Sequence, residues 1–399
     1  MKKHRLEIFF APIFLLLSIL IFAKIFNFDY LKPVQQALID FDVTDIGLQI
    51  GEENSGKNAD TNIVIIDIGK LNKKKLYYLL KTITKYRPKV IGINSIVPEE
   101  SDYLYNDSIV AVCRNHTNIV FGSVLNNYND DLEEYLSIKR SWGKFLLSAH
   151  TGFINIPFGL DKTINTVRTF KPKTKALGVT EYSFAFQITK IFDSTASRYL
   201  LERDYDSEII NFSGNFEIFT YLNARKVFLN EFADDIFENK IVLLGNAPVN
   251  SQTKFLDNMC FTPYSTLDEG RPLPDMYEVI VQANIIKMIL DKNYYSKISN
   301  VWILILTLLL IYVNFYLFYL ISDKIPLWYE ILSNLLFLIQ SIFILVLVLV
   351  LYDEYQIYAD LTRALLALAM VIIVFEAYRD SVIPFMKIFI NRFKNRSTQ

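Results

Sequence analysis

Acidic and amide side chains follow two apolar runs of the sequence, and these side chains are the best candidates for binding chemistry. Asp67 comes at the end of IVIIDI, Asn94 ends KVIGIN, and Glu99, Glu100 and Asp102 follow the second run. Open α/β sheets bind ligands outside the carboxyl ends of their strands. We therefore predict a ligand site at these five residues. The alternative is helix capping, with Asp102 opening the helix that follows it.

Motifs for catalysis, metals and cofactors are weak in this chain. The segment GEENSGKN at 51–58 approaches the phosphate-binding loop pattern, but Asn58 replaces the hydroxyl residue that would hold magnesium. The three histidines, His4, His116 and His150, are too few and too scattered for the common zinc patterns. The sequence also lacks a G-x-G dinucleotide fingerprint and a G-x-S-x-G elbow. We predict no enzyme activity, metal or cofactor, with a serine–histidine hydrolase as the weaker alternative.

The two cysteines leave two interpretations open. Cys113 and Cys260 both fall in the segment that we expect outside the membrane, where an oxidising compartment favours a disulfide. Two reduced cysteines in a core are the other interpretation.

Composition indicates a folded membrane protein. Hydrophobic residues make up 52% of the 399 residues and charged residues 21%, and the mean hydropathy is +0.25. Uncharged stretches at 8–23, 301–322 and 331–352, with a weaker one at 361–378, predict four transmembrane helices. A cleaved signal peptide is the alternative for the first stretch, but the residues after Ala23 do not suit cleavage.

The charges beside these stretches predict an orientation. Basic residues precede the first span and follow the last one, namely Lys2, Lys3, Arg5, Lys387, Arg392, Lys394 and Arg396. The positive-inside rule then places both termini in the cytoplasm. The predicted domains are a tip and anchor at 1–26, an exported domain at 27–300, three spans at 301–378 and a basic tail at 379–399.

The exported segment has the pattern of an α/β fold. The runs at 63–68 and 89–94 are typical of buried strands, and the amphipathic stretch between them predicts a helix that stops before Pro88. Further strands are predicted at 118–125, 208–212 and 240–245, helices at 181–192 and 275–290, and loops at 51–61, 130–141 and 247–274. We therefore expect a layered α/β domain with a mainly parallel sheet.

The order of these segments resembles a known family. IVIIDI and KVIGIN, EIINFSG, FENKIVLLGNAP, CFTP and DMYEVIVQANIIKMIL lie between one N-terminal span and three closing spans. This arrangement resembles the CHASE domain of type two, the cyclase- and histidine-kinase-associated sensory extracellular domain. The resemblance implies an input module of a bacterial membrane receptor, whose output is a kinase or a nucleotide cyclase.

The resemblance also assigns individual residues. Asp67 corresponds to the acidic residue of the family's first strand and Gly245 to the glycine that ends its late strand. Asn94 stands where members usually carry aspartate. The usual output domain is not seen after the last span, so the chain resembles a stand-alone form.

These observations together favour a sensor in the bacterial cytoplasmic membrane. We expect it to pass a ligand or partner signal through its helices to a separate output protein. A structural or assembly component of an envelope complex is the alternative. The expected partners are the lipid bilayer and a signalling protein, and a homodimer is implied by the family. Nucleic acid is not expected, because 41 basic and 42 acidic residues leave a net charge of −1.

Overall fold

The computed structural model describes residues 59–69, 72–99, 103–156, 166–249, 259–264, 267–268, 271–359, 361–382 and 384. The first apolar stretch, the segment at 51–58, Glu100, Asp102 and most of the basic tail lie outside these residues. The described residues fall into two compact units, one ending at Tyr295 and one beginning at Ser296.

The first unit alternates short strands with helices. Its strands are Ile63–Asp67 (β1), Val90–Ile93 (β2), Ile119–Asn129 (β3), Glu134–Lys139 (β4), His150–Phe153 (β5), Thr169–Phe170 (β6), Lys173–Ala176 (β7), Val179–Tyr182 (β8), Glu208–Ile209 (β9), Thr220–Asn223 (β10), Ile241–Gly245 (β11), Met259–Cys260 (β12), Leu267–Asp268 (β13), Arg271–Pro272 (β14) and Met276–Tyr277 (β15). Its α-helices are Lys73–Ile83 (α1), Asn106–Asn115 (α2), Gly143–Leu146 (α3), Phe184–Phe192 (α4), Ser194–Glu202 (α5), Ala224–Phe228 (α6) and Glu278–Asp291 (α7).

Nine of the described strands form one sheet, in the order β10-β1-β11-β2-β3-β4-β7-β8, with β5 beside β3. The pairs β10–β1, β1–β11, β11–β2, β2–β3 and β3–β5 are parallel. The pairs β3–β4 and β7–β8 are antiparallel. The strands β1, β2 and β11 are buried along their whole length, which explains why their sequences are uniformly apolar instead of alternating. The predicted α/β fold with a mainly parallel sheet is confirmed.

Helices cover both faces of this sheet and give the unit two cores. On one face, α1 and α2 bury side chains such as Leu79 and Ile109 against the strands. On the other face, α4 and α7 bury side chains such as Phe184 and Ile285. Asn72 caps α1 by accepting a hydrogen bond from the Lys75 amide at 2.7 Å, so the helix begins where a side chain satisfies a free N–H group.

Several predicted boundaries differ from the structure. The helix predicted at 275–290 begins only at Glu278, because Met276–Tyr277 pairs with Met259–Cys260 as a short antiparallel ladder. The helix predicted at 181–192 begins at Phe184, after the strand β8 and the capping residue Ser183. The strand predicted at 208–212 is only the pair Glu208–Ile209. The loop predicted at 130–141 is wrong, since half of it forms the strand β4.

The two cysteines do not pair in this fold. Both thiols are free and buried. Cys113 belongs to the core on the α1 and α2 face of the sheet, and Cys260 belongs to the core on the α7 face. The sheet separates them, so the disulfide interpretation is wrong and the interpretation as reduced core residues describes the structure.

The second unit consists mainly of apolar helices. They are Asn300–Lys324 (α8), Tyr329–Asp353 (α9) and Thr362–Ala377 (α10), and a short parallel pair joins Ser296–Lys297 (β16) to Ile357–Tyr358 (β17). Among the described residues, the segments Asn300–Lys324 and Pro326–Asp353 are long and apolar enough to cross a membrane. The described residues thus provide two such helices where three of the four predicted spans fall, and the first predicted span, at 8–23, lies outside them. At 16 residues, α10 is shorter than a straight span needs.

Candidate functional site

The carboxyl edge of the parallel sheet brings two of the predicted site residues onto neighbouring strands. Asp67 at the end of β1 is in register with Gly245 at the end of β11. On the other side of β11, the backbone N–H of Asn94 donates to the carbonyl of Leu244 at 2.9 Å. Two strand spacings therefore separate Asp67 from Asn94, about 10 Å between their backbones.

Asp67 organises the loops that leave this edge. It is only 6% exposed, and its Oδ1 accepts hydrogen bonds from the backbone N–H groups of Gly69 at 2.9 Å and Ala247 at 3.0 Å. One carboxylate therefore satisfies donors in the loop after β1 and in the loop after β11. A carboxylate suits this position because its oxygens accept without donating.

Two tyrosines that the sequence analysis missed complete the surroundings of Asp67. Burial, and then the nearby Asp67 carboxylate, raise the pKa of both Tyr221 and Tyr277. The Tyr221 hydroxyl donates to the carbonyl of Ala247 at 2.8 Å. The Tyr277 hydroxyl is buried and has no hydrogen-bond partner among the described residues. Tyr221 was missed because β10 has only four residues and no sequence signal that marks it as a strand.

Of the other predicted residues, the structure describes Asn94 and Glu99, and it places only Asn94 at the edge. Asn94 is 9% exposed, and its side-chain Oδ1 is a buried acceptor without a partner among the described residues. The side chain of Glu99 is exposed. Its backbone carbonyl accepts a hydrogen bond from the buried Lys73 ammonium at 2.7 Å. Glu100 and Asp102 lie outside the described residues.

A depression opens beside Asp67. Its volume is about 230 Å³, and its polar lining includes Asp67, Lys75, Asn223 and Arg225. The Lys75 ammonium donates to the carbonyl of Ile68 at 2.7 Å, which holds this cation at the rim. The site can therefore offer one carboxylate and two cations to a polar ligand. Arg225 could not be predicted, since it reaches the rim through the β10–α6 connection.

The first turn of α7 packs directly on this edge. A Cβ atom added to Gly245 would lie 2.5 Å from the Cβ atom of Val279, so the strand end and the helix are in contact without space for a side chain. The neighbouring Glu278 is largely enclosed, and burial raises the pKa of its carboxyl to about 7. Asp67 lies beside Tyr277, and Gly245 touches Val279. Both residues of the sheet edge therefore adjoin the start of the same helix.

The segment that follows α7 is also held in place within the first unit. The Arg203 guanidinium pairs with the buried Glu208 carboxylate at 2.7 Å and donates to the Tyr295 carbonyl at 2.9 Å. It also lies 4.5 Å from the centre of the Tyr294 ring. These contacts fix the chain just after the last turn of α7, so movement of this helix must involve the residues that precede Ser296.

The family assignment agrees with this architecture. A model of the CHASE2 domain matches residues 14–316. The chain therefore belongs to the CHASE2 domain family, which is a family of extracellular sensory domains. The comparisons with curated proteins and with solved structures find no match.

Proposed function

We propose that this chain is a membrane-bound, extracytoplasmic sensor module that passes a ligand or partner signal through its transmembrane helices to a separate output protein. The ligand or partner binds at the carboxyl edge, at Asp67 and Asn94. The proposal gives no catalytic role to any residue of the chain.

The observation that supports the proposal is the contact of α7 with the carboxyl edge. Gly245 and Val279 touch there without a gap, and Asp67 lies beside Tyr277. A ligand that binds better to one of two positions of α7 shifts the population toward that position. The helix ends at Asp291 and α8 begins at Asn300, so eight residues join the sensory helix to the first apolar helix. A connection this short transmits displacement, whereas a long flexible linker does not.

The proposed topology has four spans. The stretch at 8–23 anchors the chain, and α8, α9 and α10 close it, with both termini in the cytoplasm and residues 27–300 outside. This topology is supported by the extracellular character of the family and by the two long apolar helices. In the second unit, the α10 residue Phe375 packs against Phe315 and Phe318 of α8, with ring centres 5.5 and 5.7 Å apart. Helical backbone continues from α10 through Tyr378–Val382, so we treat α10 as the fourth span of the same bundle, with local thinning of the bilayer around it.

Mild-detergent purification of the intact chain, followed by quantitative mass spectrometry, tests the proposal. We expect a kinase, a cyclase or a regulator of either to be recovered in near-stoichiometric amount. The control is the same purification with a tagged, unrelated membrane protein of similar abundance. Recovery of an envelope or secretion component instead would favour the structural alternative and contradict the proposal.

A further inference from the structure

A second cavity lies in the first unit where β3, β4 and β7 meet the end of β5. Its volume is about 460 Å³, which falls within the range of small-molecule sites. Asp67, Asn94 and Glu99 are not among the residues that line it. It is therefore a different place from the carboxyl-edge site described above.

The floor of this cavity is apolar. Leu125, Phe153 and Ile156 line it and are each only 3% exposed. Leu125 and Phe153 also pack together in a small core cluster of their own. A ligand resting on this floor needs an apolar body, because a polar group placed there would lose its hydrogen bonds to water.

The rim combines two phenol rings with one cation. The rings of Tyr128 and Tyr135 meet edge to face with their centres 4.9 Å apart, and the Lys171 ammonium lies 5.8 Å from the centre of the Tyr128 ring. Burial, and then the neighbouring Tyr128, raise the pKa of Tyr135, so its hydroxyl stays a hydrogen-bond donor. Lys171 is the one charged residue among the described residues of the lining, and it forms no ion pair with another described residue.

The walls of the cavity are held in place before any ligand arrives. Asn155, just after β5, donates from its side-chain amide to the carbonyl of Leu125 at 2.9 Å and accepts from the backbone N–H of Leu125 at 2.7 Å. This double hydrogen bond ties the end of β5 to β3 across the floor. A preformed pocket of this kind costs a ligand less ordering entropy than a pocket that must assemble.

We propose that this cavity binds a small organic acid with a planar apolar body. The Lys171 ammonium and the tyrosine hydroxyls bind the carboxylate, and the ring of the ligand rests on Leu125, Phe153 and Ile156. The Lys171 cation selects for the carboxylate, and the aromatic rim selects for a flat ring. This inference does not rest on the proposed signalling, since binding is measured directly.

Saturation-transfer NMR on the intact chain in lipid nanodiscs tests the site, with benzoate as the probe. We expect saturable benzoate binding after subtraction of empty nanodiscs, and weaker binding of the uncharged analogue benzamide. Lys171→Gln should weaken benzoate binding by about tenfold, the value of one charge-assisted hydrogen bond, while Lys171→Arg retains most of it.

The matched control is Lys175→Gln. Lys175 lies on β7, beside the lining residue Thr174 but on the exposed side of the strand, and does not line the cavity. This variant should bind benzoate like the wild type. A second variant, Tyr128→Ala, should also weaken binding, because it removes one aromatic wall. The proposal is overturned if benzoate does not bind saturably, if benzamide binds equally well, or if Lys171→Gln has no effect.

Discussion

Asp67 has a structural use at the carboxyl edge that does not depend on any ligand. Its buried carboxylate accepts from Gly69 and Ala247, and so joins the loops after two neighbouring strands. The sequence suggested either a binding residue or a helix cap for such an acid. The structure adds a third role, because this carboxylate joins two loops at the edge of the site while it also lines the depression.

Replacing this carboxylate should destabilise the first unit. Asp67→Ala leaves two backbone donors without their acceptor, and we expect the free energy of unfolding to fall by about 2 kcal/mol. Urea unfolding of the intact chain in nanodiscs, followed by tryptophan fluorescence, to which Trp142 contributes from the first unit, measures this change. The exposed Asp234→Ala serves as the control and should change the free energy by less than about 0.5 kcal/mol. Equal stability of the two variants would refute the structural role of Asp67.

Glu278 should give the first unit a pH dependence of known sign. Burial raises the pKa of its carboxyl from 4.5 to about 7, so the folded chain retains a proton that the unfolded chain releases at lower pH. This contribution to stability is complete below pH 4.5 and is lost as the pH rises toward 7. Its size is on the order of 3 kcal/mol.

Glu278→Gln removes the titrating group and should flatten this part of the pH profile. Urea unfolding at several pH values between 4.5 and 7 compares the variant with the wild type and with the exposed control Glu238→Gln. The wild type and Glu238→Gln both keep Glu278, and they should lose stability in parallel as the pH rises. A profile for Glu278→Gln that falls as steeply as theirs would show that Glu278 is not the cause.

Among the secondary-structure elements, β11 and α7 form the contact on which the proposed signalling depends. Gly245→Ala places a methyl group 2.5 Å from the Cβ atom of Val279, which forces the helix away from the strand. We expect a loss of about 1–3 kcal/mol in the free energy of unfolding, as for other overpacked cores.

Gly143→Ala is the matched control for this contact. Its added Cβ meets no atom within 4 Å, and the residue opens the short helix α3. The control should keep the stability of the wild type within about 0.5 kcal/mol. Hydrogen exchange of α7 should rise in Gly245→Ala and not in the control. Unchanged exchange in both variants would contradict a tight strand–helix contact.

The sequence predicted those elements whose residues are buried in a simple pattern. The strands β1, β2 and β11 are uninterrupted apolar runs, and α1 shows one buried face between a capping residue and a proline. The strand ends that carry Asp67 and Asn94 followed from these runs. Such elements are recognisable because burial on both faces, or on one helical face, dictates the residue types directly.

The remaining elements depend on contacts between distant parts of the chain. The strand β4 has only partly buried residues, and it forms because β3 continues beyond the parallel sheet and offers an open edge. Tyr221 and Arg225 reach the site through β10, whose position beside β1 results from the whole topology. The cavity at Tyr128 and Lys171 arises in the same way, where β3, β4 and β7 diverge from the parallel strands. No local pattern could reveal these neighbours.

For the whole molecule, the proposed topology predicts which sites are accessible from outside the cell. Asp131→Cys lies in the exposed turn after β3, and Lys324→Cys lies at the exposed end of α8. A membrane-impermeant maleimide should label the first variant in intact cells and the second only after permeabilisation. The wild type is the control, because Cys113 and Cys260 are buried and burial raises the pKa of both thiols, that of Cys113 to about 12. Labelling of Lys324→Cys in intact cells would contradict the topology.

The most direct test of the account measures the activity of the co-purified output protein in nanodiscs. Gly245→Ala displaces the start of α7, and a four-residue Gly-Ser insertion after Lys292 makes the connection to α8 flexible. We predict that Gly245→Ala changes the activity of the output protein when the connection to α8 is unaltered. In the chain that carries the insertion, Gly245→Ala should leave this activity unchanged while the partner stays bound. If Gly245→Ala leaves the activity of the output protein unchanged, transmission through α7 is contradicted. A change in activity that persists in the chain with the insertion would contradict it too.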